Sequence, residues 1–150
     1  MVCSCIAHIR NSNTILPLIG TGKTFVLTTL LSHIRGQGKI GFAMATSGIA
    51  ATLLPGGRTV HNRLKVPIKL NETSELNGGK TKGPIVELMR KTELMIIDEV
   101  TMGSKHMFET IDRSLRKIRN EPNKPFGGIT LVLSGDWRQC LPVVPKGIRH

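Results

Sequence analysis

The chain has 150 residues, enough for one ordinary domain with its own core, and no apolar run reaches the roughly 18 residues of a transmembrane helix. Lysine and arginine number 21 against 10 aspartate and glutamate residues, giving a net charge of +11. This excess favours a polyanionic partner, usually nucleic acid, over a basic surface that has no specific partner.

The three cysteines, Cys3, Cys5 and Cys140, follow no spacing typical of a metal site or a disulfide framework. A reducing compartment is therefore the simpler interpretation. Residues 1–19 carry one arginine, no acidic residue and a short apolar patch, which is too little for a secretory signal. A mitochondrial presequence stays open as an alternative.

Short apolar segments alternate with segments of helical periodicity, which predicts an α/β fold with a mostly parallel sheet and crossover helices. The predicted elements, in chain order, are a helix at 24–35, a strand at 40–45, a short helix at 47–54, an exposed loop at 71–84, a helix at 85–91, a strand at 94–97, a helix at 105–119, a loop at 122–128 and a strand at 129–133.

The helix predicted at 105–119 has two distinct faces. Its apolar residues recur at helical spacing and are predicted to face the core: Met107, Ile111, Leu115 and Ile118. Its basic residues fall elsewhere on the helix: Arg113, Arg116, Lys117 and Arg119. We expect the basic residues to form a solvated exterior rather than a direct contact with DNA.

The run Gly20-Thr21-Gly22-Lys23-Thr24 precedes the first predicted helix and is typical of a phosphate-binding loop. In such a loop Lys23 reaches the β- and γ-phosphates, the Thr24 hydroxyl binds Mg²⁺, and backbone N–H groups surround the phosphate oxygens. The helix N-terminus adds a partial positive charge. The complete pattern asks for glycine where this chain has Pro17, so an ordinary glycine turn is the alternative.

Two further motifs follow predicted strands. Asp98 and Glu99 come directly after a strand, and the carboxyl ends of parallel strands are where α/β sheets bind ligands. There Asp98 would hold Mg²⁺ through water, and Glu99 would orient or activate the attacking water. Gln139 closes the second motif, at 135–139, and can hydrogen-bond a γ-phosphate. A plain strand-to-loop boundary or turn is the alternative in each case.

From Gly20 to Gly147 the chain resembles the Pif family of superfamily-1B DNA helicases, which includes Helitron-type relatives. The motifs that carry the resemblance are GTGKTF at 20–25, ATSGIAA at 45–51, LPGGRTVH at 54–61, IIDE at 96–99, PFGG at 125–128 and GDWRQCLPV at 135–143. The resemblance implies a RecA-like P-loop NTPase domain, the first of two motor domains, with helices on both faces of an incomplete sheet.

The resemblance also implies roles for individual residues. The nucleotide would be bound by Gly20, Thr21, Gly22, Lys23 and Thr24. Thr24 and Asp98 would hold Mg²⁺, Glu99 would be the catalytic carboxylate, and Gln139 would sense the γ-phosphate. Single-stranded DNA would face Thr46, Ser47, Gly48, Thr59 and His61. We also expect Ser47 to cap the short helix that follows it.

The chain departs from the family in its first segment. The family's loop reads glycine-proline-glycine-glycine where this chain has Pro17, Leu18, Ile19 and Gly20. Proline fixes φ and lacks an N–H, whereas glycine lets the backbone approach phosphate. We therefore predict an atypical segment at 1–19 and a partial motor domain at 20–150, with the second motor domain absent from this chain.

The resulting prediction is an ATP-dependent DNA helicase by descent, using ATP and Mg²⁺ and acting on single-stranded DNA without a membrane partner. The family's roles are DNA repair, recombination and telomere maintenance, with the nucleus as compartment and the mitochondrion as the alternative. The fragment itself is expected to be inactive alone. A non-catalytic, basic single-stranded DNA-binding remnant is the alternative function, although four phenylalanines, one tryptophan and no tyrosine offer few stacking surfaces. A P-loop kinase or GTPase fits less well.

Overall fold

The computed structural model describes residues 14–16, 22–77 and 83–136. The predictions for Gly20, Thr21 and Gln139 lie outside these residues, as do the departures at 17–19 and the three cysteines. None of the helices in the described part of the chain is long and apolar enough to cross a membrane.

The described elements alternate between strands and helices. Strands β1 to β5 are Thr14–Leu16, Ile40–Ala45, Arg58–Thr59, Thr92–Asp98 and Thr130–Ser134. Helices α1 to α5 are Lys23–Gly36, Gly48–Thr52, Val60–Leu64, Pro84–Lys91 and Lys105–Arg119. Short 3₁₀ turns occupy Val100–Met102 and Pro125–Gly128.

The five strands form one sheet in the order β1-β5-β4-β2-β3, and every neighbouring pair is parallel. Parallel pairing brings the carboxyl ends of the strands to a single edge of the sheet, which we call the carboxyl edge. Ala45, Thr59, Asp98 and Ser134 are the last residues of β2, β3, β4 and β5 at this edge.

The two faces of the sheet are covered by different helices because side chains alternate along a strand. Met44, Ile97 and Leu133 point to the larger core, which the apolar faces of α3, α4 and α5 complete. Ile96 and Val132 point to the smaller core, which α1 covers. The prediction of helices on both faces is confirmed. Because both faces of the sheet are covered, the strands are continuous apolar runs in the sequence.

The predicted helices and strands agree with the structure to within two residues at each end. The strand at 40–45 and the helix at 105–119 have the predicted bounds, and the apolar face predicted for that helix is buried throughout. The short helix is trimmed to Gly48–Thr52, and Ser47 caps it by accepting a hydrogen bond from the Ala50 N–H. Strand β1 and the pair β3–α3 have no counterpart among the predicted elements.

Two loop predictions need correction. Pro84 begins helix α4 instead of ending a loop, because proline at the first helical position loses no intrahelical hydrogen bond. The predicted loop at 122–128 contains a 3₁₀ turn, in which the Phe126 N–H donates to the Asp112 carboxylate.

The basic residues of α5 do not form the simple solvated exterior that we predicted. Arg113 donates to the Ser74 carbonyl, Arg116 pairs with Asp112, and Lys117 pairs with Glu75. Arg119 donates to the carbonyl of the first residue of β4, Thr92. Long cationic side chains can reach backbone carbonyls of neighbouring segments, and here they tie α5 to the rest of the domain.

Candidate functional site

Lys23 meets both carboxylates of the Asp98-Glu99 pair at the carboxyl edge. Its Nζ lies 3.2 Å from Asp98 Oδ1 and 3.8 Å from Glu99 Oε2. Asp98 is only 3% exposed, so its charge is stabilised by the ammonium group beside it. Two motifs that are far apart in the sequence therefore form one cluster of charges.

Gly22 allows the chain to enter α1 at this position. Its φ of +90° lies in the left-handed region, which glycine adopts without a steric penalty. Its carbonyl accepts the Val26 N–H and so begins the helix. Lys23 and the half-buried Thr24 are consequently the first two residues of α1, directly opposite the carboxylates.

Glu99 has an unusual backbone conformation. Its φ and ψ of 56° and 40° are left-handed, which costs roughly 1 kcal/mol or more in a residue that is not glycine. Two hydrogen bonds fix its position: its N–H donates to Asp98 Oδ1 at 2.8 Å, and the Thr101 hydroxyl donates to Glu99 Oε1 at 3.3 Å. The strand thus ends in a sharp turn that presents the second carboxylate to Lys23.

Thr46 joins this turn to the neighbouring strand. Ala45 is paired with Asp98 in the sheet register, so Thr46 lies next to Glu99. The Thr46 N–H donates to the Asp98 carbonyl at 3.1 Å, and its hydroxyl donates to the Glu99 carbonyl. The side chain predicted to face DNA is therefore hydrogen-bonded to the backbone of the carboxylate pair.

The other residues predicted to face DNA lie close by along β2 and β3. Thr59 is paired with Ala45, and its hydroxyl caps α3 by accepting the Asn62 N–H. Gly48 and His61 are exposed, in the first turns of α2 and α3. The structure thus brings the segments 46–48 and 59–61 together beside the charged cluster.

Sequence reasoning predicted no contacts for two arginines near this surface, Arg35 and Arg63. Arg35 donates to the carbonyls of Gly41 and Pro55, and Arg63 donates to the carbonyl of Gly56. The Arg63 guanidinium also lies 5.1 Å from the centroid of the Phe42 ring. These contacts hold the turn that leads into β3, and no spacing pattern in the sequence would have revealed them.

Three positively charged side chains, Arg35, Arg58 and Arg63, lie around this turn. Burial lowers the pKa of Arg63 from its ordinary value, and the positive charges of Arg58 and Arg35 lower it further. Among the described residues, no carboxylate pairs with any of the three. The three arginines, Arg35, Arg58 and Arg63, therefore form a basic patch that the described part of the chain does not compensate.

Gly135 brings the end of β5 against the carboxylate turn. A Cβ at this position would lie 3.1 Å from Val100 Cγ2, 3.2 Å from Thr101 Cγ2 and 3.3 Å from the Val100 nitrogen. The close approach explains why a glycine begins the motif at 135–139. Gln139 itself lies outside the described residues, so its role stays a prediction.

Comparison with known proteins identifies the family. The family model described as PIF1-like helicase matches residues 11–150. The chain belongs to this family. The matched region begins at residue 11 and strand β1 begins at Thr14, so both begin before residue 20. The domain boundary that we predicted at residue 20 stays a prediction.

Curated relatives of the PIF1-like family are much longer than this chain. The ATP-dependent DNA helicase PIF6 of Trypanosoma brucei brucei is 35% identical over 125 residues, which are 83% of this chain and 16% of that protein. The ATP-dependent DNA helicase RRM3 of Saccharomyces cerevisiae is 34% identical over 131 residues, 85% of this chain and 18% of its own length. The chain thus spans less than a fifth of either relative.

Solved structures of the family share the fold. Pif1 from a Bacteroides species, in complex with ADP-AlF4, superposes with a TM-score of 0.72 at 34% identity, over 97% of this chain and 33% of that one. The same helicase with ADP-AlF3 and single-stranded DNA gives a TM-score of 0.73 at 34% identity, again over 97% and 33%. The prediction of a RecA-like α/β domain is confirmed.

Proposed function

We propose that this chain is part of an ATP-dependent DNA helicase and supplies a part of its first motor domain that binds both nucleotide and single-stranded DNA. The observation that carries the proposal is the cluster of Lys23, Asp98 and Glu99, which lies beside the segment 46–48 at the carboxyl edge. Family membership and the likeness to Pif1 structures with bound nucleotide analogues support it.

The residues at the carboxyl edge suit Mg²⁺ and a nucleoside triphosphate. Mg²⁺ is usually held by one or two carboxylates together with substrate phosphates and water, and not by an all-protein cage. The described residues present one buried carboxylate, Asp98, with a second, Glu99, next to it. Asp98 and Thr24 would hold the ion, and Lys23 would move from the carboxylates to the β- and γ-phosphates.

Glu99 is proposed as the group that orients the attacking water and accepts its proton at a carboxylate oxygen. Bound ATP would supply the phosphoryl group that is transferred to that water, with ADP as the leaving group. The hydrogen bond from Thr101 to Oε1 leaves Oε2 on the side of Lys23, where it is available to a water molecule.

Single-stranded DNA is proposed to lie across Ser47, Gly48, Thr59 and His61. Support comes from the exposure of Gly48 and His61 and from the adjoining basic patch. Hydroxyl groups, backbone amides and cations are the usual partners of phosphates.

Unwinding needs two motor domains that move relative to each other. In such a motor the second domain also supplies an arginine finger for ATP hydrolysis, and this residue is worth roughly 10³–10⁵ in rate. We therefore assign unwinding to a two-domain helicase, acting in DNA repair, recombination and telomere maintenance, with the nucleus as compartment and the mitochondrion as the alternative.

The test is a titration of the chain with a fluorescent ATP analogue and Mg²⁺, read by energy transfer from the single tryptophan, Trp137. We expect saturable binding that Lys23→Ala abolishes. Lys39→Ala is the matched control, because Lys39 pairs with Glu93 on an exposed part of the surface and should not affect binding. Absence of nucleotide binding by the folded chain, with retained binding of single-stranded DNA, would favour the non-catalytic alternative.

A further inference from the structure

Thr46 uses both of its donors inside the protein. Its N–H and its hydroxyl donate to the carbonyls of Asp98 and Glu99, two consecutive residues at the end of β4. Neither donor is free for a phosphate. The following residue, Ser47, caps α2 and begins the surface proposed to face DNA. Thr46 is therefore the covalent link between that surface and the carboxylate pair.

The hydroxyl of Thr46 donates to the carbonyl of Glu99, a residue of the site that has a left-handed backbone without being glycine. Strand β4 ends at Asp98, so the Glu99 carbonyl lies beyond the sheet ladder, and its direction follows from the left-handed backbone of Glu99. A donor on this carbonyl favours the left-handed conformation over the ordinary one. Loss of the donor would allow the Glu99 peptide to rotate, and the carboxylate near Lys23 would move with it.

We propose that Thr46 is a positioning residue that couples the single-stranded DNA surface at 47–48 to the geometry of Glu99. A shift of the 47–48 backbone on DNA binding would be passed through the Thr46 hydroxyl to the Glu99 peptide, and nucleotide binding at Lys23 would act in the reverse direction. This inference rests on the proposed function. It differs from the sequence-based prediction that Thr46 itself contacts DNA.

Such coupling is measurable because it is reciprocal. If DNA changes the nucleotide affinity by some factor, then nucleotide changes the DNA affinity by the same factor. The observable is the ratio of the dissociation constants for the fluorescent ATP analogue with Mg²⁺, without and with saturating oligothymidylate. We expect a ratio of about 5 or more for the unmodified chain, at the lower end of the usual range for coupled sites.

Three variants test whether the Thr46 hydroxyl carries this coupling. Thr46→Val keeps the shape and removes the donor, so the ratio should fall to about 1 while each separate dissociation constant stays within about threefold. Thr46→Ser keeps the donor and should restore the ratio. Thr52→Val is the matched control, because the Thr52 hydroxyl donates only to the Ile49 carbonyl of its own helix. An unchanged ratio in Thr46→Val overturns the proposal, and a selective loss of DNA affinity would make Thr46 a direct DNA contact.

A second measurement needs neither ligand and separates this proposal from the proposed function. The Glu99 N–H is hydrogen-bonded to Asp98 Oδ1 in the turn that Thr46 holds. In Thr46→Val its hydrogen exchange should be about fivefold faster or more, the change expected for loss of one hydrogen bond. Thr46→Ser and Thr52→Val should exchange as the unmodified chain does. Equal protection in Thr46→Val would refute the positioning role, even in a chain that binds no nucleotide.

Discussion

Lys23 stabilises the fold in addition to the phosphate-binding role predicted from its motif. Asp98 is buried, and the ammonium group at 3.2 Å is the cation that compensates its charge. Removing one partner of a fully buried ion pair costs about 3 kcal/mol or more, whereas replacing both can be nearly neutral. Because the Lys23 side chain keeps 21% exposure, we expect a smaller cost here.

Lys23→Met should therefore abolish nucleotide binding and also lower the free energy of unfolding, by about 1–3 kcal/mol. The double variant Lys23→Met/Asp98→Asn removes both charges and should regain most of that stability without regaining binding. Urea denaturation and the fluorescent titration measure the two properties separately. If the double variant is as unstable as Lys23→Met, charge compensation is not the cause.

Neighbouring glycines in the turn before β3 should respond very differently to alanine. A Cβ on Gly57 would lie 2.2 Å from the Ala51 carbonyl oxygen, so Gly57→Ala should cost about 3 kcal/mol or more by overpacking. Gly56 has a φ of +67°, and a Cβ there would meet only Arg35 Nη2 at 3.9 Å, an ordinary van der Waals contact, so Gly56→Ala should cost only about 1 kcal/mol. Equal midpoints of denaturation for the two variants would contradict this account of the turn.

Among the helices and strands, those with a longer repeating pattern of apolar residues could be predicted more accurately from the sequence. Helix α5 repeats its apolar spacing over four turns, so its bounds and buried face could be derived from sequence. Strand β3 has only two residues, too few to show a period, and its place is set by pairing with Met44 and Ala45. The Lys23–Asp98 contact could be expected because parallel strands end at one edge, whereas the roles of Thr46, Arg35 and Arg63 depend on tertiary contacts that leave no periodic signal.

The contacts of α5 provide a prediction about how helices are tied to the sheet. Arg119 donates to the Thr92 carbonyl at 2.6 Å in a partly buried position, so Arg119→Ala should cost about 1.5 kcal/mol. Lys117 pairs with Glu75 at the exposed surface, and Lys117→Ala should cost less than about 0.5 kcal/mol. Chemical denaturation of both variants is the measurement. A larger loss for Lys117→Ala would mean that the surface pair, and not the partly buried contact with the Thr92 carbonyl, anchors the helix.

For the whole molecule, the distribution of charge matters more than its total. Residues 1–50 contain no acidic side chain, and all ten acids lie between Glu72 and Asp136. Two of those acids, Asp98 and Glu99, lie at the carboxyl edge, where Lys23 offsets one of their two negative charges. The basic patch formed by Arg35, Arg58 and Arg63 has no carboxylate partner among the described residues. A polyanion approaching the domain is therefore attracted to the side where β3 and α3 lie.

Binding of single-stranded DNA should accordingly weaken steeply with salt. For about three phosphate contacts, the logarithm of the association constant should fall with the logarithm of salt concentration with a slope of about −2. Arg58 is exposed and directly precedes the proposed contact residue Thr59, so Arg58→Ala should make the slope shallower by about 0.7. Lys39 precedes β2 at the amino end of that strand and already pairs with Glu93, so Lys39→Ala should leave the slope unchanged. Fluorescence anisotropy of a labelled oligothymidylate between 50 and 200 mM salt, the range over which such contacts lose affinity most visibly, gives the slope. A salt-insensitive affinity would show that stacking or hydrogen bonding, and not phosphate charge, holds the strand.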